Sequence, residues 1–259
     1  MDFLHNRIMN LHVFKDLPAL SEALADWVVD DIRTTLKEKD HYHFVLSGGS
    51  TPKALYALLA SEPRKDAIEW YRIHFYIGDE RYVPYEDARN NGKMAYDTLL
   101  SHVPVPKANV HLMDTTLAPE ASARAYAKML HETFDGAAQT FDLVLLGMGD
   151  DGHTLSLFPG TEVVHEKEQW TAAPFVAAQD MYRITLTQPV VARAATIVFL
   201  AAGANKAQTL KAVLTGAFEP DRYPSQLIHT SSKVVQWYVD EAAAAQLDEG
   251  EKTEDQQSV

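Results

Sequence analysis

Apolar residues recur at helical spacing through Leu17 to Lys37, at Leu20, Leu24, Trp27, Val28, Ile32 and Leu36, and the segment ends in charge, which predicts an amphipathic helix. The period then changes. His43-Phe44-Val45-Leu46 is a short apolar run broken by Gly48 and Gly49; Pro52 fits a first helical position, ahead of a helix over Ala54 to Ala60. This order of strand, tight turn and helix recurs along the chain. Ile73 to Ile77 feeds Gly78-Asp79-Glu80-Arg81 ahead of a helix within Ala88 to Leu100, and Thr196 to Ala202 feeds Gly203-Ala204-Asn205-Lys206 and a helix to Leu214. The opening stretch reads as another copy. Further strands are predicted at Val110 to Leu112, Arg183 to Leu186 and Val234 to Tyr238.

Strands alternating with helices imply an α/β fold with a parallel sheet and right-handed crossovers. Every polar, glycine-containing turn then follows the carboxyl end of a strand, so all of them can converge on one rim. The 259 residues suit a single large domain, because no long linker, internal repeat or low-complexity stretch divides them. Residues 1–247 are expected to form that domain. Asp248 to Val259, with five acidic residues, one lysine and no aromatics, is expected to be a disordered tail.

The richest segment is Phe141-Asp142-Leu143-Val144-Leu145-Leu146, a buried-looking strand running into Gly147-Met148-Gly149-Asp150-Asp151-Gly152-His153. The glycines spell Gly-x-Gly-x-x-Gly, but a dinucleotide site needs a full helix after the last glycine. Pro159 and Gly160 stop any helix near His153 after little more than a turn, and Asp150 and Asp151 would repel a pyrophosphate. Asp151 lies one glycine from His153, close enough to orient the ring and support its cationic form, as a general base requires. An isolated histidine is more often merely structural.

Ser47-Gly48-Gly49-Ser50-Thr51-Pro52 has the makings of an anion cradle: glycines admit close approach, hydroxyls donate, and a helix N-terminus offers N–H groups. The same letters also suit an ordinary turn capped by Ser or Thr. Gly78-Asp79-Glu80-Arg81 reads either as charged site residues at a strand end or as a surface cluster. Arg183 and Lys206 are lone cations among apolar neighbours; they suit either solvated side chains or a phosphate at the shared rim. No Walker loop and no Gly-x-Ser-x-Gly elbow is present. Neither His41 with His43 nor Asp150, Asp151 and His153 makes a ligand set at convincing spacing, so no metal is expected.

The net charge of -13 opposes a nucleic-acid or membrane surface, yet leaves room for a small anion held by local cations. Zero cysteines exclude disulfides and thiolate catalysis. With no membrane-length apolar run and no signal-peptide core in Met1 to Phe14, a cytoplasmic protein is expected.

As an ordered set, Leu46 to Pro52, Gly78 to Arg81, Gly147 to Thr154 with Leu157-Phe158-Pro159-Gly160, Arg183-Ile184-Thr185-Leu186-Thr187 and Gly203 to Ala207 resemble the motifs of the 6-phosphogluconolactonase family. The resemblance covers about Val13 to Leu247. It implies a doubly wound, Rossmann-like fold without a nucleotide, and hydrolysis of 6-phosphoglucono-1,5-lactone in the oxidative pentose phosphate pathway. No cofactor is implied, and the partner is a small phosphorylated lactone; a monomer is the expected assembly. The family suggests that His153, oriented by Asp151, is the base, with the 6-phosphate near Gly48, Gly49, Ser50, Thr51, Arg183 and Lys206. Arg81 would bind phosphate or polarise the lactone, and Asp79 would orient hydroxyls. The related glucosamine-6-phosphate deaminases carry a glutamate where Phe158 stands, and Phe158 cannot transfer a proton. The lactonases usually show proline in place of Asp150, which adds a negative charge beside the histidine turn. A deaminase or aldose–ketose isomerase is the alternative within enzymes, and a non-catalytic sugar-phosphate sensor the alternative outside them.

Overall fold

The computed structural model describes residues 10–231 and 234–248. In chain order the elements are β1 (Asn10–Phe14), α1 (Leu17–Thr35), β2 (Tyr42–Leu46), α2 (Ser50–Leu59), β3 (Ile73–Ile77), β4 (Asp79–Arg81), α3 (Asn91–Ala95), β5 (Val110–His111), α4 (Pro119–Thr133), β6 (Leu143–Gly147), β7 (Thr171–Ala172), β8 (Phe175–Val176), β9 (Met181–Leu186), α5 (Gln188–Val191), β10 (Thr196–Ala201), α6 (Ala207–Thr215), α7 (Ser225–Ser231) and β11 (Val235–Asp240). Seven strands pair in parallel in the order β1-β11-β10-β6-β2-β3-β5. From β2 the chain works outward through β3 to the β5 edge, and from β6 through β10 to β11, which the first strand, β1, flanks at the other edge, as in a doubly wound α/β fold.

Strand residues are apolar on both sides because helices cover both faces. Phe44 and Leu46 pack into a core with Leu24, Val28 and Ile32 of α1, while Val45 and Tyr76 point into a second core with Tyr126 and Leu130 of α4. Asp16 caps α1 by accepting from the Ala19 N–H at 2.9 Å. Two buried tyrosines pin strand ends. The Tyr56 hydroxyl accepts from Ser47 N and donates to Ser47 O, both at 2.8 Å, and Tyr126 accepts from Ile77 N at 3.0 Å.

Three expectations need correction. Arg183 to Leu186 is a strand, but β9 lies outside the parallel sheet; it pairs antiparallel with β4 and β7 in a second sheet. Asp79 to Arg81 is therefore a short strand, β4, not a turn. Helix α2 begins at Ser50, so Pro52 is its third residue and not its first. As Pro159 and Gly160 led one to expect, no α-helix starts at His153; tight turns run there. The expected acidic tail lies, beyond Asp248, outside the described residues.

Away from the site rim, His43, His74 and His111 form a row across β2, β3 and β5, with His74 Nδ1 and His111 Nε2 3.2 Å apart. Burial, reinforced by the neighbouring histidines, pushes His43 down from 6.5 to about 3 and His111 to about 4. The unfolded chain thus binds more protons than the folded one at mildly acid pH. Stability is fully present above about pH 6.5 and falls as pH drops through about 4 toward about 3. His43→Gln is expected to flatten that decline in Tm; an unchanged slope would remove His43 from the acid response.

Candidate active site

Four motif-bearing strand ends stand side by side because β10, β6, β2 and β3 are consecutive in the sheet, and the reversal between β6 and β2 opens a crevice above them. A cleft of about 490 Å³ occupies it, lined by Gly48, Gly49, Ser50, Thr51, Asp79, Arg81, His153, Arg183 and Lys206. All the candidate residues except Asp151 face this space. A larger neighbouring hollow of about 940 Å³ carries Asp151, Glu162 and Glu166, so its charge is wrong for a phosphorylated ligand.

Asp151 stands behind His153 and accepts from its Nδ1 at 2.6 Å and from its backbone N–H at 3.1 Å. That contact fixes the tautomer and leaves Nε2 as the basic nitrogen. Burial raises the Asp151 carboxyl, but the hydrogen bond and charge of His153 outweigh it and hold the group below the usual carboxylate range. On its other side the imidazole stacks on Phe158, with ring centroids 4.1 Å apart and 23° between planes. The turn carrying the pair is tied down by Gly149 N–H to His153 O at 2.8 Å, Thr154 Oγ1 to Gly147 O at 2.8 Å, and Ser225, which donates twice to Gly152 O. A Cβ at Gly149 would overlap both His153 Nδ1 and Asp151 Oδ1, so the turn needs glycine here for the pair to form at all. Gly149→Ala is expected to lower kcat at least about ten-fold by displacing the imidazole, with the thermal melt nearly unmoved. Wild-type kcat in this variant would show that the pairing is dispensable.

The anion side is built differently from an ordinary capped turn. Gly49, at φ 109°, is the residue before α2 and offers no capping side chain, so the first N–H groups of this ten-residue helix are left to face a ligand. Arg183 and Lys206 are not lone cations. Lys206 pairs with Asp150, and Arg183 contacts Gln179 and lies 3.7 Å from Asp79. Register sets Arg81 opposite Arg183 across β4 and β9, so two like charges face each other where unlike charges would be more stable. Both Nε–H groups are buried without a hydrogen-bond partner among the described residues, as expected of donors placed for an anion.

Asp79 is buried and held from two sides: Ser156 Oγ donates to its carboxylate at 2.6 Å, and Asn91 Nδ2 to its carbonyl at 2.6 Å. Glu80 holds the Asn91 loop in turn, accepting from the N–H groups of Arg81, Asn91 and Gly92 at 2.7 to 2.8 Å; burial nevertheless raises its carboxyl to about 7. Asn91, Gln179 and Ser156 are site residues that sequence reasoning missed. Asn91 opens the short helix α3, Gln179 ends a single 3-10 turn and Ser156 lies in a tight turn, segments too short for a periodic signal, and only Ser156, within the Leu157-Phe158-Pro159-Gly160 neighbourhood, was near a motif. Among the described residues no group of three or more His, Cys, Asp or Glu is arranged to hold a metal ion, and no helix is long and apolar enough to cross a membrane.

Comparison with known proteins identifies the family. A 6-phosphogluconolactonase of a Synechocystis species is 37% identical over 224 residues, covering 85% of this chain and 90% of that protein. Its counterpart in a Nostoc species is 36% identical, covering 92% of this chain and 98% of that one. The solved 6-phosphogluconolactonase of Trypanosoma brucei superposes with a TM-score of 0.83 at 27% identity, covering 94% of this chain and 100% of the other. Residues 15–237 match the model for glucosamine-6-phosphate isomerases/6-phosphogluconolactonase. The chain belongs to the glucosamine-6-phosphate isomerase/6-phosphogluconolactonase family.

Proposed function

We propose that this cleft hydrolyses 6-phospho-D-glucono-1,5-lactone to 6-phosphogluconate, the lactone step of the oxidative pentose phosphate pathway. The observation that carries the reading is the convergence, in one cleft, of a carboxylate-oriented imidazole with Arg81, Arg183, Lys206 and the bare N-terminus of α2. The relatives of 36 to 37% identity carry the name of that activity. His153 Nε2 takes a proton from water as the oxygen attacks C1. A tetrahedral oxyanion forms, and the imidazolium returns the proton to the ring oxygen as the C1–O5 bond breaks. Asp151 orients the ring and stabilises its cation without itself being protonated. The 6-phosphate lies against the Gly48 to Thr51 turn, Arg183 and Lys206; Arg81 binds phosphate or polarises the carbonyl, and Asp79 orients substrate hydroxyls.

A deaminase would need an acid at position 158 to open an amino-sugar ring, and the phenyl ring of Phe158, stacked on His153, offers none. The test is a pair of assays: acid release from freshly generated phosphogluconolactone above the spontaneous rate, and ammonia release from glucosamine 6-phosphate. The proposal expects the first and not the second. Ammonia release, or binding of lactone without turnover, would overturn it. Because the polar side chains that meet here do not form a ligand set, EDTA is expected to leave activity unchanged; a loss reversed by zinc or magnesium would require a different mechanism.

A further inference from the structure

Lys206 is occupied. Its ammonium pairs with the carboxylate of Asp150, which also accepts from Asn205 Nδ2 at 2.9 Å. The backbone beneath is tethered, because Thr209 Oγ1 of α6 donates to Asp150 O at 2.6 Å. Asp150 is thus held at the start of α6, at the corner of the cleft where Asn205 and Lys206 line the wall. Its side chain is 61% exposed while that of Lys206 is only 19% exposed. A dianionic phosphate that reaches Lys206 must share it with a fixed negative charge.

We propose that Asp150 is a specificity-determining residue that competes with the substrate's 6-phosphate for Lys206, weakening the hold on phosphorylated substrate and product. The inference rests on placing the phosphate beside Lys206. Two effects of the carboxylate oppose each other. It pre-positions the ammonium, but an ion pair with so exposed an acid contributes little to holding a side chain in place. It also repels a doubly charged group brought to within a few ångströms, and there the interaction scales with both charges. Repulsion wins, so neutralising the acid tightens binding.

The test is steady-state kinetics of Asp150→Asn, Lys206→Ala and the parent on phosphogluconolactone and on unphosphorylated gluconolactone, with 6-phosphogluconate as product inhibitor. Asp150→Asn is expected to lower KM for the phosphorylated lactone and the inhibition constant of 6-phosphogluconate together, by about three- to ten-fold, with a smaller gain at high salt. Asp150→Glu restores the parent values. Gluconolactone, which brings no charge to Lys206, responds less than about two-fold. A raised or unchanged KM in Asp150→Asn, while Lys206→Ala selectively impairs the phosphorylated lactone, would overturn the role of Asp150 and leave the phosphate placement standing. Equal losses on both lactones in Lys206→Ala would overturn the placement, and with it this proposal.

Discussion

His153→Gln is expected to lower kcat by roughly 10² to 10⁴, the range that a positioned general base contributes, while binding of 6-phosphogluconate stays within a few-fold. In the proposed mechanism the imidazole acts on the proton of the attacking water and the phosphate binds elsewhere in the cleft, so its loss should fall on the transition state. Asp151→Asn should cost less. It removes the charge that would support an imidazolium and weakens control of the tautomer fixed by the 2.6 Å contact, but the proposed base remains. Pre-steady-state and steady-state rates on fresh lactone read both variants. Wild-type turnover in His153→Gln would remove this residue from the chemistry, and a larger loss in Asp151→Asn would make Asp151 the base.

Lys206→Ala and Arg183→Ala are each expected to reduce kcat/KM for phosphogluconolactone by about one to two orders of magnitude, since a charge-assisted hydrogen bond contributes about 1.5 to 3 kcal/mol. Gluconolactone should lose much less, because it never makes the deleted contact; the phosphate serves as one partner of a double-mutant cycle. Arg183 is 5% exposed and lies near Asp79, so its removal also leaves a buried carboxylate less compensated. A thermal melt beside the kinetics separates that effect from the lost contact. If both substitutions lowered activity on the two lactones by the same factor, these cations would support the fold or the carbonyl chemistry, and the phosphate would bind elsewhere.

The parallel sheet was legible because its strands are short apolar runs that end in glycine turns, and a strand buried on both faces has no other reading once helices alternate with it. Strand β9 was legible as a strand but not as part of a second sheet. An apolar run looks the same whether its partner is parallel or antiparallel, and only the observed pairing with β4, β7 and β8 settles it. Helix α4 went unread because its core face is narrow: Ala123, Tyr126 and Leu130 are buried among exposed polar residues, and Tyr126 nonetheless clamps the end of β3. The motifs placed His153, Asp79, Arg81 and Lys206 on one rim, since each follows a strand that the sheet order makes adjacent to the next. What they could not give was partnership. Asp150 and Lys206 are distant in sequence, and Ser156 and Asp79 more so; both pairs exist only because β10, β6 and β3 end at one level.

The most direct test of the account is a crystal structure of the protein with 6-phosphogluconate bound. The phosphate should lie within hydrogen-bonding distance of Lys206 and the first N–H groups of α2, and the C1 carboxylate within about 3.2 Å of His153 Nε2, directly or through one water. A product whose phosphate sat in the larger acidic hollow beside Glu162 and Glu166, or whose C1 lay beyond the reach of His153, would contradict it.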